Sequence, residues 1–270
     1  MEELWSVLDP AQGENLRYTE LYDAIRQGRA EDEDLPMGVW KRPLKTAQWS
    51  EVQRLCLDAL EKKTKDFQIF FWLGESLIMG KKMAGLCQSL ELCKKFTQLY
   101  GDIAYPSERD DDSFSPLWEW ADKAWVRRAH SLPIGHQEGE DVFYNFGHWT
   151  YGQARVLESQ KHKHPENFLQ AEMGNLRWDE MKNLVGETPK NFYQGWKADI
   201  EKSMALCESI QSWVKEKWDM NVFTRMTSFL SLMDRHVQSW IDMKATPQPS
   251  MAVKKEKNPS SPAPSFVISS

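Results

Sequence analysis

The chain has 270 residues, 41% of them hydrophobic, with a formal net charge of −6 at neutral pH and an isoelectric point near 5.6. That length can bury one sizeable core or two modest ones. The acidic balance, with no stripe of clustered lysine and arginine, excludes a nucleic-acid binder, which needs cations to displace the counterions of phosphate.

Cys56, Cys87, Cys93 and Cys207 are scattered without a CxxC pair and fall on apparent helical faces. They read as buried thiols of a reducing cytoplasm and not as a disulfide framework. The amino terminus shows no basic region followed by an apolar core and a small-residue cleavage site, so no secretory signal is read there. The longest apolar run, Phe67 to Met79, is interrupted by Gln68, Gly74, Glu75 and Ser76. It falls short of the about 20 residues that cross a bilayer, so a core helix of a cytoplasmic protein is expected, with no membrane insertion.

In chain order, the pattern is helical almost throughout. Trp49, Val52, Leu55, Cys56, Leu57 and Leu60 recur at helical spacing with Glu51, Gln53, Arg54 and Asp58 between them, which predicts an amphipathic helix. The run after Thr64 is apolar on nearly every side, which places it inside other helices. Met83, Leu86, Leu90, Cys93 and Phe96 form a third stripe ending near Tyr100 and Gly101, and a further helix starting around Pro116 carries Trp118, Trp120 and Trp125. A weaker segment, Asp141 to Leu157, with Phe143, Tyr144, Phe146 and Trp149, suggests an edge helix, and SQKHKHPEN after it reads as a linker.

Thr188 followed by Pro189 is a helix-start pair, with Thr able to accept a backbone N–H bond and Pro tolerated at the first helical position. Phe192, Trp196, Ile200, Met204, Cys207, Ile210 and Val214 then hold one face, and after a break at Asn221 the residues Phe223, Met226, Leu230, Met233, Val237 and Trp240 give an opposing stripe. Two long stripes with a short polar break predict an antiparallel helical hairpin. The last residues, TPQPSMAVKKEKNPSSPAPSFVISS, have too few apolar side chains to fold and are expected to be disordered. The expected class is all-α: a helical bundle over residues 1–130, an edge helix and linker over 131–165, a helical hairpin domain over 166–245 and a disordered tail over 246–270.

Several landmarks between Gly13 and Trp120 stand in one order: NLRYTELYDAIRQGRAEDEDLPMGVW, then Trp49 opening a helix, then TKDFQIFFWLGESL, GLCQSLEL, YP, the acidic run ERDDD and PLWEW. This series resembles the ImpA N-terminal domain, which opens the TssA proteins of bacterial type VI secretion, and the hairpin resembles the helical segment that follows it. The resemblance implies a scaffold acting by protein contacts, with baseplate, sheath, tube or membrane-complex proteins as partners, no cofactor and no catalytic residues. The family's ring-building carboxyl-terminal domain has no counterpart here. That leaves open a truncated accessory or regulatory protein that competes with a full-length TssA, as well as a small-molecule-binding helical protein. One departure is local: the family has a glycine-rich turn before its GL motif, where this chain has GKKMAGL.

Catalytic constellations are weighed against plainer readings. Glu108, Asp110, Asp111 and Asp112 lack the ligand offsets and glycine turn of a calcium loop, so a solvated loop is expected. His162 and His164 have no third ligand nearby in sequence. Cys56 and Cys207 sit on apolar faces, where a thiol is shielded. No Gly-rich phosphate loop, GxSxG or HExxH pattern occurs, and no enzyme is predicted.

The candidate contact or framework residues are Arg17, Tyr18, Arg26, Arg29, Trp40, Trp118 and Trp120. The resemblance places the first four in RYTELYDAIRQGR, where Arg26 and Arg29 are expected to pair with Asp23, Glu31 or Asp32. Thirteen tryptophans suit both cores and binding hot spots. Trp40, beside Lys41 and Arg42, and Trp118 with Trp120, after the acidic loop, form either an exposed contact patch or ordinary packing. The apolar faces of the hairpin, residues 189–241, can also pair with a second copy as a homodimer.

Overall fold

A computed structural model describes residue 8 and residues 10–31, 45–106, 112–136, 144–173 and 176–245. Among these residues the fold is all-α, with α1 (Glu20–Gly28), α2 (Trp49–Lys62), α3 (Phe67–Tyr100), α4 (Phe114–His130), α5 (Phe146–Ser159), α6 (Pro165–Met173), α7 (Trp178–Glu187), α8 (Lys190–Trp218) and α9 (Thr224–Ala245). None of these helices is long and apolar enough to cross a membrane.

The apolar run expected at the centre is there. Phe67, Ile69, Phe70, Phe71, Trp72, Leu73, Leu77 and Ile78 are all buried, each such side chain contributing about 1.5–3 kcal/mol relative to exposure. The third stripe follows as expected, as a second helical half of α3. α3 is broken at Lys82, whose backbone sits at φ 58, ψ −133, and its two halves fold back on one another. Ring stacking of Phe70 on Phe96 at 4.5 Å ties the far ends together. Close approach at the turn requires glycine: a Cβ on Gly85 would lie 2.0 Å from the Leu77 carbonyl oxygen. Deeper in the seam, Ser89 Oγ lies 2.7 Å from the carbonyl of Gly85 and 3.1 Å from that of Gly74. The reversal that the departing GKKMAGL segment left open is thus made by a lysine in a left-handed conformation.

α2 lays Val52, Cys56, Ala59 and Leu60 on one half of α3, and α4 covers another side. Trp125 of α4 presses on Gly74 and donates its indole N–H to the Phe71 carbonyl at 2.9 Å. The α8–α9 hairpin completes the layer, α8 against α3 and α9 against α4. Asp122 of α4 joins the two parts: its carboxylate accepts the backbone N–H groups of Arg225 and Met226, both at 2.9 Å. Those N–H groups lie in the first turn of α9, where they have no partner within the helix. Buried side chains from Leu16 to Trp240 form one continuous apolar cluster.

The hairpin stripes face inward: Trp196, Ile200, Cys207, Ile210 and Val214 on α8, and Phe223, Met226, Leu230, Met233, Val237 and Trp240 on α9, are buried within the chain. Phe192 and Met204 of the α8 stripe are only partly buried. SQKHKHPEN is not all linker, because Pro165 starts α6, the position where a missing N–H and a fixed φ suit a helix. Thr188 does not cap α8. Its hydroxyl turns back to the Leu184 carbonyl at 2.8 Å and accepts the His136 backbone N–H at 3.1 Å.

Candidate contact site

The residues that the amino-terminal motifs share converge on one charged layer. Glu75, alone among apolar neighbours in the middle of α3, is fully buried. A carboxylate out of water must be paired and hydrogen-bonded; two guanidinium groups hydrogen-bond it, and that of the exposed Arg127 stands at 4.0 Å. Arg29, just after α1, reaches Glu75 Oε2 through Nε at 2.8 Å and Nη2 at 2.5 Å. Arg128, in the last turn of α4, donates from Nε to Glu75 Oε1 at 3.1 Å and from Nη1 to Glu31 at 2.6 Å. Tryptophans flank these cations: Arg29 lies 5.1 Å from the Trp72 ring centre and 5.2 Å from that of Trp120, and Arg128 lies 4.4 Å from that of Trp49. The layer therefore clamps α1, α2, α3 and α4 together at one level.

Lys65 and Asp66, immediately before α3, serve two helix ends. Lys65 is fully buried and donates its ammonium to the Leu60 carbonyl, near the end of α2, at 2.7 Å; burial pushes its pKa below the usual lysine value. Asp66 caps α3 by accepting the Ile69 backbone N–H at 3.0 Å. Burial pushes the Asp66 carboxyl up to about 6, against the opposing pull of its backbone hydrogen bonds.

Beside the layer opens a groove of about 660 Å³, within the range of ligand and peptide sites. Asp66, Gln68 and Tyr22 line it together with Tyr105 and Trp120, and Arg17 stands on its wall. Trp120 and Tyr22 belong to groove and layer alike, since Trp120 flanks Arg29 and Tyr22 packs on Trp72 at 4.6 Å. The Tyr22 hydroxyl is pushed up to about 12, first by burial and then by the nearby Asp66. Gln68 Nε2 is buried with no hydrogen-bond partner.

The candidate residues divide accordingly. Arg29 is a framework residue, but its partner is Glu75 and not a neighbour in sequence, because the end of α1 points it at the core. Arg26 does pair with Asp23, at 2.8 Å across an exposed turn, an arrangement worth only about 0–1 kcal/mol. Glu31 is held by Arg128, while Asp32 and Trp40 lie outside the described residues. Tyr18 is 91% exposed. Trp118 is not a surface contact: it is buried among Phe67, Phe71, Phe114, Trp218 and Phe223. Trp120 is half-buried between the layer and the groove. Of the acidic run, Glu108, Asp110 and Asp111 lie outside the described residues, while His162 stacks on Phe168 at 4.1 Å. Cys56 and Cys207 are buried, and burial raises both thiols, that of Cys207 to about 12.

Residues 8–128 match the family model described as ImpA, N-terminal, type VI secretion system. This stretch is similar to an ImpA N-terminal domain. The matched span holds α1 to α3, nearly all of α4, the whole Glu75 layer and the groove. A solved structure is also similar: the N-terminal domain including the conserved ImpA_N region of the TssA component of the type VI secretion system from Burkholderia cenocepacia. It shares 17% identity at a TM-score of 0.74, over 90% of this chain and 93% of that one. That likeness shows the fold and reaches well past residue 128, so the hairpin belongs to the shared architecture. No curated protein matches the sequence.

Sequence reasoning missed Glu75, Lys65, Asp66, Arg128 and Asp122. A signal existed for the first: a lone carboxylate within a run of core residues needs a cation. Asp66 carries a local signal too, as an N-cap residue three before Ile69, whereas Arg128 and Asp122 are placed by tertiary contacts between helices distant in sequence, which no local pattern reports.

Proposed function

We propose that this protein is a component of a type VI secretion apparatus that works as a cytoplasmic scaffold, through contacts with baseplate, sheath, tube or membrane-complex proteins. The observation that carries the reading is the ImpA N-terminal match over residues 8–128, whose charged motif residues meet inside the domain as a rigid clamp and leave a groove at its edge. Rigid presentation of a surface is what a contact protein needs, because fixing the surface beforehand lowers the ordering cost of association. The inward-facing hairpin stripes favour a monomer as the unit that makes these contacts.

The test is genetic. In a bacterium that makes the protein and fires its type VI system, deleting the gene is expected to change release of the tube protein, and supplying the chain in trans restores it. Unchanged release in the deletion strain contradicts the reading. The mass in solution, measured by light scattering, is expected to be that of one chain.

A further inference from the structure

A second groove, of about 450 Å³, runs between α4 and α9. Its floor is apolar. Phe229 is 4% exposed, Val126 and Leu232 are partly buried against the core, and the His130 ring stands on Phe229 at 4.7 Å. Burial lowers the His130 pKa, so this ring is mainly neutral at neutral pH.

The charge at the rim runs against that of the molecule. The chain carries −6 overall, yet the side chain that brings a full charge to the groove wall is that of Arg225. It is exposed, and no ion pair of the described residues engages it. Two carboxylates are near, and both are committed: Glu119 to Lys123 at 2.6 Å, and Asp122 to the backbone N–H groups that open α9. Arg225 acts on them only at longer range. Arg235, three residues after Leu232 and so on the same side of α9, is also exposed and in no ion pair of the described residues.

Helix formation does not favour a cation where Arg225 stands. It lies in the first turn of α9, where the free N–H groups already carry partial positive charge, and that turn contains no acidic residue. An anion brought from outside would gain from both the guanidinium and the turn.

We propose that this groove receives a short acidic segment of a partner polypeptide, with one apolar side chain seated on Val126, Phe229 and Leu232 and a carboxylate paired with Arg225. The inference rests on the contact reading and gives the chemistry of one contact. An apolar anchor in a cleft beside a charge-assisted pair concentrates binding energy in few residues. The chain's own residues 246–270 are ill-matched to the site, since Lys254, Lys255 and Lys257 outweigh Glu256.

The experiment uses the full chain and three blocked peptides: acetyl-Leu-Glu-Leu-Glu-amide, its glutamine counterpart, which removes the charge, and acetyl-Ala-Glu-Ala-Glu-amide, which removes the anchor. NMR titration follows the methyl signals of Val126 and Leu232. The first peptide is expected to shift them saturably, and each of the others to bind roughly fivefold more weakly or worse. Arg225→Gln removes the cation without setting a new carboxylate beside Glu119 and Asp122. It is expected to weaken the first peptide by a similar factor and to leave the glutamine peptide unchanged. No saturable shift at these methyls, equal binding of the three peptides, or undiminished binding by Arg225→Gln overturns the proposal. If Arg225→Gln does not fold, the peptides on the natural chain still decide.

In the cell, a photocrosslinking residue placed at Ser228, exposed in the groove wall, is expected to join a segment of another protein in which a carboxylate lies close to a large apolar side chain. A crosslink to a second copy of this chain, to a segment without a carboxylate, or to nothing rejects the groove and leaves the scaffold reading standing. Failure of the natural chain to copurify with any secretion protein rejects the scaffold reading, whatever the peptides do.

Discussion

Replacing Glu75 with Gln tests the clamp. The substitution keeps the volume of a fully buried side chain and removes the charge that Arg29 and Arg128 approach at 2.5 and 3.1 Å. Breaking a buried ion pair from one side costs about 3–5 kcal/mol, because the remaining charge is stranded. Part of that is offset here. Arg128 retains Glu31 at 2.6 Å, Arg29 retains its two tryptophan rings at about 0.5–2 kcal/mol, and the amide oxygen still accepts one bond. The expected loss is therefore roughly 2–4 kcal/mol, a large share of the about 5–15 kcal/mol that holds a folded protein together. Urea unfolding followed by tryptophan fluorescence and by circular dichroism gives the free energy from the midpoint and slope. Arg26→Ala is the control, with a loss below about 1 kcal/mol because its partner is exposed. A Glu75→Gln protein within about 0.5 kcal/mol of the natural chain at unchanged slope would refute the argument, since neither Arg could then depend on this carboxylate.

Other consequences follow from single positions. Lys82→Gly is expected to raise stability by about 1 kcal/mol by relieving a positive-φ backbone at the α3 reversal; a lower melting temperature contradicts it. Asp122→Ala removes the acceptor for two N–H groups of α9, with an expected loss of about 1–2 kcal/mol and faster hydrogen exchange at Arg225 and Met226, whereas unchanged exchange there would show that water replaces the cap. Asp66 makes stability depend on pH: its folded value is raised to about 6, so its favourable contribution is complete below about pH 4 and fades as pH rises through 6. Relative to Asp66→Asn, the natural chain should lose on the order of 3 kcal/mol between those limits, and parallel pH profiles for the two proteins would be the wrong result.

What was legible in the sequence was what periodicity carries. The α2 stripe from Trp49, the buried run from Phe67 and the facing stripes of α8 and α9 all stand where the spacing put them, because each helix buries one face in a common core. The break in α3 was legible only as a change of stripe, and its tightness depends on Gly85 meeting the Leu77 carbonyl, a contact across the turn. The short helices α6 and α7 were hidden by polar composition, although Trp178, Met181 and Val185 do keep helical spacing. Arg29 was picked out as a framework residue, yet its partner lies 46 residues away in the chain. Trp118 and Trp120 looked alike in PLWEW, and two residues of helix turn one into the core and leave the other half-buried at the groove.

The measurement that tests the central claim most directly is affinity purification of the tagged chain, under mild salt, from a bacterium whose type VI system is active, with mass spectrometry of what comes with it. Recovery of baseplate, sheath, tube or membrane-complex proteins, absent from a tag-only control, is the predicted result. Their absence from the purified material while the system fires would contradict the scaffold account.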